Sequence, residues 1–293
     1  MAQGGSERHP SPDVHRHLRD ARDLILHGIG SREHRCQGGP GIIEMNYQPR
    51  TYWEHRHLQQ TGLRATGHLE HGRYYNWWLY RAKIRALRRA LTMAGVDIRG
   101  RSVLDVGAGT GFFLSLYARW GATRLAGVDI STTTVKHLKE KFPTATVWEA
   151  DIAKGVPTEE QFDLVQAFDV MFHLPDTDFS AALGHLVQRC RPGGVLLLTD
   201  SFRMQQRPAP HVSFRSLAQY RDVLSDRDVD IVGIVPIYRF LNRRGWLGRG
   251  VRWQYVAAAV DAFAPLYYLA DSMALSMETA NLSLLTCRVK CQR

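Results

Sequence analysis

The feature that most constrains this chain is a short run over residues 102–116, SVLDVGAGTGFFLSL. An apolar stretch carrying Asp105 leads into Gly107, Gly109 and Gly111, and a second apolar stretch with helical spacing follows. Three side chains are missing where a strand would turn into a helix, so backbone can approach a ligand at the helix N-terminus. The glycines read G-x-G-x-G, the third falling one residue early for the dinucleotide fingerprint. Asp105, two residues before the first glycine, would repel a pyrophosphate at close range. The loop therefore favours a nucleoside whose tail carries an amino group over NAD.

The pattern around this loop sets the fold class. Apolar runs at 102–107, 124–130, 145–151, 162–168, 193–200, 229–235 and 280–289 predict seven strands, and segments with helical periodicity lie between most of them. Strands that are continuously apolar and alternate with helices predict a mostly parallel, doubly wound α/β sheet covered on both faces. Before it, residues 50–99 predict a helical lid. There Tyr74, Trp77, Trp78, Arg81, Ile84, Arg85, Leu87, Arg88 and Leu91 form an aromatic-aliphatic face and an arginine face, stopped by Gly95. Residues 240–279, aromatic and apolar, are too long for a plain connection and predict a helical insert before the last strand at 280–293. The core then spans 100–239. Residues 1–49 predict a partly disordered arm with a short helix at 14–27, and its five histidines lack carboxylates at ligand spacing, so no metal is expected.

Acids close the next two strands as well. Asp129 stands at the end of the second strand, where two carboxylate oxygens match the two hydroxyls of a ribose. The third ends in Glu149-Ala150-Asp151-Ile152, an acid with apolar neighbours suited to the edge and face of an adenine. Each acid has a structural alternative: Asp105 as a turn cap, Asp129 as a helix cap before Ser131, Asp151 as a loop residue.

In this order VLDVGAGTG, GVDI, EADI, FDLVQAFDVMFHL and the RPGG turn before VLLLTD resemble the successive motifs of class I S-adenosylmethionine-dependent methyltransferases, over roughly residues 100–235. More loosely, the YNWWLYR segment and HVSFRSLAQY resemble bacterial small-molecule or envelope-glycan enzymes of that class. The resemblance implies a Rossmann-like methyltransferase fold with a reversed seventh strand and S-adenosylmethionine as cofactor. It places Gly107, Gly109 and Gly111 along the methionine part, with Ala108 and Phe112 beside them, and Asp105 at the amino group. Asp129 would take the ribose with Ile130 on the adenine, Asp151 and Ile152 would meet the adenine, and Phe168 and Asp169 would sit beside the sulfonium.

Candidates for the acceptor side are His173 just beyond Asp169, which itself could act there, and His211, with Arg215 four residues on; Asp200 is a third option. His173 has a packing alternative and His211 a surface one. AFDV stands where amino-methylating DNA and protein-glutamine enzymes carry an Asn-Pro-Pro-Tyr type segment, which argues against a nucleic-acid or protein-amide acceptor. The aromatic flanks (Tyr52, Trp53, Tyr74, Tyr75, Trp77, Trp78, Phe263, Tyr267, Tyr268), fringed with Arg81, Arg85, Arg243, Arg244, Arg249 and Arg252, predict an apolar pocket with a cationic rim. The expectation is a small-molecule methyltransferase, O-methylating a natural product or a glycan or lipid-linked precursor with an anionic end. C-methylation of an alkene such as a prenyl diphosphate, and a cofactor-binding regulator without turnover, are the alternatives.

Composition agrees. The 293 residues are 44% hydrophobic and 23% charged, with a net charge of +10. Split at residues 99 and 200 the charge is +7, −3 and +6, so a mildly acidic centre lies between basic flanks, unlike a uniformly basic nucleic-acid binder. Cys36, Cys190, Cys287 and Cys291 show no zinc spacing, and no apolar run is long enough to span a membrane. A cytoplasmic protein, with peripheral membrane contact as a weaker option, is the expectation.

Overall fold

The computed structural model describes residues 47–60, 62–69, 71–203, 209, 211–241 and 261–291. The arm predicted over 1–49, with its 14–27 helix and Cys36, lies outside the described residues apart from 47–49, as do residues 242–260 of the insert with Arg243, Arg244, Arg249 and Arg252.

Seven strands form one sheet: β1 Ser102–Val106, β2 Arg124–Asp129, β3 Thr146–Glu149, β4 Phe162–Ala167, β5 Cys190–Asp200, β6 Val229–Tyr238 and β7 Leu282–Val289. Their order is β3-β2-β1-β4-β5-β7-β6. Pairs from β3 to β5 are parallel, and β7 runs antiparallel to both β5 and β6. The order reverses between β1 and β4, the switch point where ligands enter a doubly wound sheet.

Period-two alternation feeds two cores. Val103, Leu164, Val195, Leu197 and Leu284 point to one face, and Leu104, Val165, Leu196, Leu198 and Leu285 to the other. Helices α6 (Asp176–Arg189) and α7 (Leu217–Leu224) cover the second face. The first is covered by α3 (Arg73–Met93), α4 (Phe112–Arg119) and α8 (Ala264–Ala274). α5 (Thr132–Lys141) packs beside β2 and β3.

The lid segment divides in two. α3 forms where the periodicity places it and is closed by Gly95 at φ +64°. However, its buried face is Tyr75, Leu79, Tyr80, Ala82, Ala86 and Ala90, while Tyr74 and Trp77 are exposed. Small alanines let the helix lie close on the sheet, Tyr75 and Tyr80 fill the space beside them, and Tyr74 and Trp77 stay outside. α3 is thus a core layer. α1 (Pro49–Gln59), which has no fully buried residue, and the single turn α2 (Leu63–Thr66) contribute to the cleft at the sheet's carboxyl end, as do Tyr80 and Lys83 of α3.

Candidate active site

The glycine loop is pinned first. Backbone N–H groups of Gly107 and Ala108 both donate to the Val128 carbonyl at 2.7 and 3.0 Å, tying the end of β1 to the end of β2. Gly107, Gly109 and Gly111 have φ of +68°, +52° and +70°, the left-handed region that favours glycine. A Cβ on Gly107 would lie 2.3 Å from Val170, and one on Gly109 2.4 Å from Thr66 of α2. Gly111 differs: its Cβ would meet Phe142 and Leu138, at 2.4 and 2.8 Å, behind the loop. Two glycines therefore shape the cleft, and the third lets α4 start against α5.

Around this loop is an open cleft, the kind of concave site that takes a small molecule or cofactor. Asp105, Gly107, Ala108, Gly109, Phe112, Asp129, Ile130, Asp151, Ile152, Phe168, Asp169 and His173 line it together, although they come from five separate stretches of chain. Gly111 and His211 are not among its walls.

The acids differ in their surroundings. Asp105, 2% exposed, accepts one hydrogen bond from Gln166 at 2.9 Å, and its second oxygen, Oδ2, has no partner in the protein. Burial pushes its pKa up to about 7, against the Gln166 bond and with the neighbouring Asp129 charge adding to the rise. An orphaned buried carboxylate oxygen beside a bare backbone loop suits the amino group of a ligand. Asp129 accepts from the Gly109 and Ser131 backbone at 2.9 and 3.0 Å; burial raises its pKa, opposed by those bonds and by nearby His57. It is both a local cap and a wall of the cleft. Asp151 accepts from the Ala153 backbone at 3.0 Å, so it too orders its own turn.

The side expected to receive an acceptor centres on Asp169, which has φ +58° and donates its backbone N–H to Thr199 Oγ1 at 2.7 Å. Its carboxylate is paired with Lys83, a 4% exposed residue of α3 whose ammonium also sits 4.4 Å over the Tyr80 ring. Burial pushes Asp169 up, but the Lys83 charge and hydrogen bond, with His173 and the Thr199 hydroxyl, together more than offset it and hold the carboxyl below its ordinary range. His173 Nδ1 lies 2.7 Å from the His211 carbonyl, an acceptor only, so Nδ1 carries the proton and Nε2 keeps a lone pair. Burial lowers the His173 pKa to about 4. Its ring meets Trp53 edge-on at 4.9 Å and stacks on His211 at 5.6 Å. His211 stands behind it, stacked on Tyr52.

Other sequence candidates go elsewhere. Arg215 is buried and donates to the carbonyls of Met171 and Leu174, each at 2.7 Å, and to Asp176, so it clamps the loop after β4. Asp200 accepts from Tyr220 at 2.8 Å within the second core. Of the predicted cationic rim, Arg81 and Arg85 do not line the cleft: Arg81 spreads over Trp77, and Arg85 bonds Ser272 and the Tyr268 carbonyl. Lys83 is instead the one lysine or arginine among the described lining residues.

Several walls were not visible in the motifs. His57 and Pro49 of α1 face the cleft beside Trp53, which the aromatic flanks predict. Glu54 of that helix accepts from Ser131 Oγ at 2.7 Å and from the Thr133 backbone at 3.2 Å, fastening α1 to the start of α5. Tyr80 and Lys83, three apart on α3, carried a helical spacing that could have revealed them, but arginines dominated that segment.

A doubly wound sheet with a reversed seventh strand, and acids closing three successive strands around a glycine loop, is the architecture of class I S-adenosylmethionine-dependent methyltransferases. Residues 75–285 match the family model of the methyltransferase domain, and the chain belongs to that family; its cofactor is S-adenosylmethionine. It is 28% identical over 160 residues to a phosphatidylethanolamine N-methyltransferase of Cereibacter sphaeroides, covering 52% of this chain and 76% of that one. It is 32% identical over 117 residues to a trans-aconitate 2-methyltransferase of an Azoarcus species, covering 40% and 45%, and 30% identical over 137 to a ubiquinone biosynthesis O-methyltransferase of Paracidovorax citrulli, covering 41% and 54%. The chain thus spans about half the length of several curated relatives it matches. In fold it is similar to magnesium protoporphyrin IX methyltransferase from Synechocystis, with a TM-score of 0.52 at 16% identity over 82% of this chain and 97% of the other. Among the described residues no helix is long and apolar enough to cross a membrane.

Proposed function

We propose that this methyltransferase acts on a small molecule with an apolar body, at an oxygen atom, the class that includes natural products and glycan or lipid-linked precursors. The observation that carries this reading is that one cleft joins the acids at 105, 129 and 151 to an aromatic wall, with the His173 imidazole against Trp53 of that wall. When bound, S-adenosylmethionine supplies an electrophilic methyl group for in-line displacement, so the protein's task is alignment and exclusion of water. Asp105 with the glycine loop would hold the methionine end, Asp129 the ribose and Asp151 with Ile152 the adenine. Phe168 and Asp169 would lie near the reacting centre.

His173 is neutral at ordinary pH, since burial has lowered its pKa to about 4. Its Nε2 lone pair would accept the hydrogen bond of an acceptor hydroxyl, and His211, holding Nδ1–H through its carbonyl, fixes that tautomer. Trp53 and Phe112 offer an acceptor apolar surface. The relatives named for trans-aconitate and for ubiquinone biosynthesis support a small-molecule acceptor. Incubation with methyl-labelled cofactor and fractionated extracts tests the reading. Label should enter a solvent-extractable small compound, and label found only in tRNA or protein would refute it.

A further inference from the structure

We propose that the outer face of α3 and α8 docks on an anionic lipid bilayer. The starting point is that α8 is apolar on two sides: Ala264, Tyr267 and Tyr268 pack on the first core, and a second apolar stripe faces out. Its one ionisable carboxylate, Asp271, is 1% exposed and accepts the backbone N–H groups of Arg239, Phe240 and Leu241 at 2.9, 2.9 and 3.2 Å, just past the end of β6. Phe263, Leu266, Leu269 and Met273 recur at three- and four-residue spacing on the opposite side, and the last three are 58%, 53% and 80% exposed. A helix of a water-soluble domain normally turns these residues inward. Here the carboxylate holds the helix in place by capping backbone, and the apolar stripe faces out.

Two further exposed aromatics, Tyr74 and Trp77, stand on the neighbouring helix. The two helices are joined, since Arg81 lies over the rings of Trp77, Trp78 and Tyr268, and Arg85 bonds the Tyr268 carbonyl and Ser272. Most of the large exposed apolar side chains of the described protein therefore fall on one joined pair of helices. Scattered single residues would need no explanation, but a grouped patch does.

Charge and residue type decide between occupants. Arg73 and Arg81 are exposed on this pair of helices, the exposed stripe of α8 carries no acid, and the chain as a whole is at +10. Tryptophan, tyrosine and arginine beside leucine and methionine suit the boundary between headgroups and acyl chains, where an apolar face inserts shallowly and cations meet anionic headgroups. A second copy of this chain would bring like charge against like. The inner side of the same helix α3 supplies Tyr80 and Lys83 to the cleft, so docking would bring the site close to an acceptor dissolved in the bilayer.

Sedimentation of the full-length protein with vesicles tests this. Binding to mixed phosphatidylglycerol–phosphatidylcholine vesicles is expected, weakening with salt, and much less to pure phosphatidylcholine. Leu266→Ser with Leu269→Ser should lower the bound fraction roughly tenfold, and Arg73→Gln with Arg81→Gln should remove the preference for anionic vesicles, both with S-adenosylhomocysteine affinity unchanged as the control for folding. No binding by the wild-type protein, or equal binding by the leucine variant, overturns the proposal. So does a concentration-dependent dimer that the leucine variant abolishes without any vesicle binding, which would assign the face to a second copy.

Discussion

Lys83, in the middle of α3, pairs with the carboxylate of Asp169 at the carboxyl end of β4, joining a helix outside the motif region to the residue at the head of the acceptor side. Both side chains are largely buried, and removing one charge strands the other in a medium that solvates it poorly.

Lys83→Met alone, or Asp169→Asn alone, should each cost about 3–5 kcal/mol of stability, and the double variant should recover a large part of the loss. Urea denaturation of the three variants measures this, and additive losses would count against the pair. Because Asp169 is held below its ordinary range in the folded protein, its contribution is present above the unfolded carboxylate pKa and is lost as pH falls through the folded one.

Asp105 gives the opposite sign. Its pKa, raised by burial from 3.8 to about 7, means the folded protein binds a proton that the unfolded chain releases, so stability falls as pH rises between these values. Asp105→Asn should therefore be relatively more stable than wild type above pH 7, the difference fading toward pH 4. Cofactor affinity should move the other way. S-adenosylhomocysteine should bind wild type more tightly as pH rises through about 7, and the asparagine variant roughly 30-fold more weakly and without that pH dependence. Calorimetric titration across pH checks both, and parallel pH profiles would exclude a carboxylate–amine contact.

Gly111 and Gly107 separate two uses of one motif. Gly111→Ala meets Phe142 and Leu138 behind the loop and keeps φ +70°, so it should destabilise the fold by about 1–3 kcal/mol. Adding Phe142→Leu should relieve part of that loss. Gly107→Ala pushes into Val170 on the cleft wall, and it should weaken cofactor binding by a larger factor than Gly111→Ala does. Thermal melts and binding constants of the three variants decide.

Glu54 fastens α1 over the cleft through Ser131 and Thr133. Losing those charge-assisted bonds in Glu54→Ala is worth about 1.5 kcal/mol, or roughly tenfold in the dissociation rate of S-adenosylhomocysteine. Trp53 on the same helix provides a fluorescence signal for stopped-flow measurement. An unchanged rate would show that α1 does not gate the site.

The β-strands and the glycine loop were legible because both follow from local rules. Short continuous apolar runs rich in β-branched residues and bounded by turn residues suit strands buried on two faces, and the clustered glycines at 107, 109 and 111 take positive φ. The acids at 105, 129 and 151 were legible for the same reason, since each stands within two residues of a strand's carboxyl end and a parallel sheet brings strand ends to one edge. The arginines misled. Arg81, Arg85 and Arg215 looked like ligands for an anionic acceptor, yet they grip carbonyls and aromatic rings, because a guanidinium satisfies buried backbone as readily as it meets a ligand.

The sequence by itself determined the succession of strands and helices along the core and the turn at Gly107–Gly111, because these depend on periodicity and local conformation. Only the tertiary structure decided which side of α3 is core, that Lys83 meets Asp169, that Glu54 fastens α1 to α5, and that α8 turns its leucines outward. Those relations join residues some thirty to two hundred positions apart, and helical periodicity names a helix's faces without naming what packs against them.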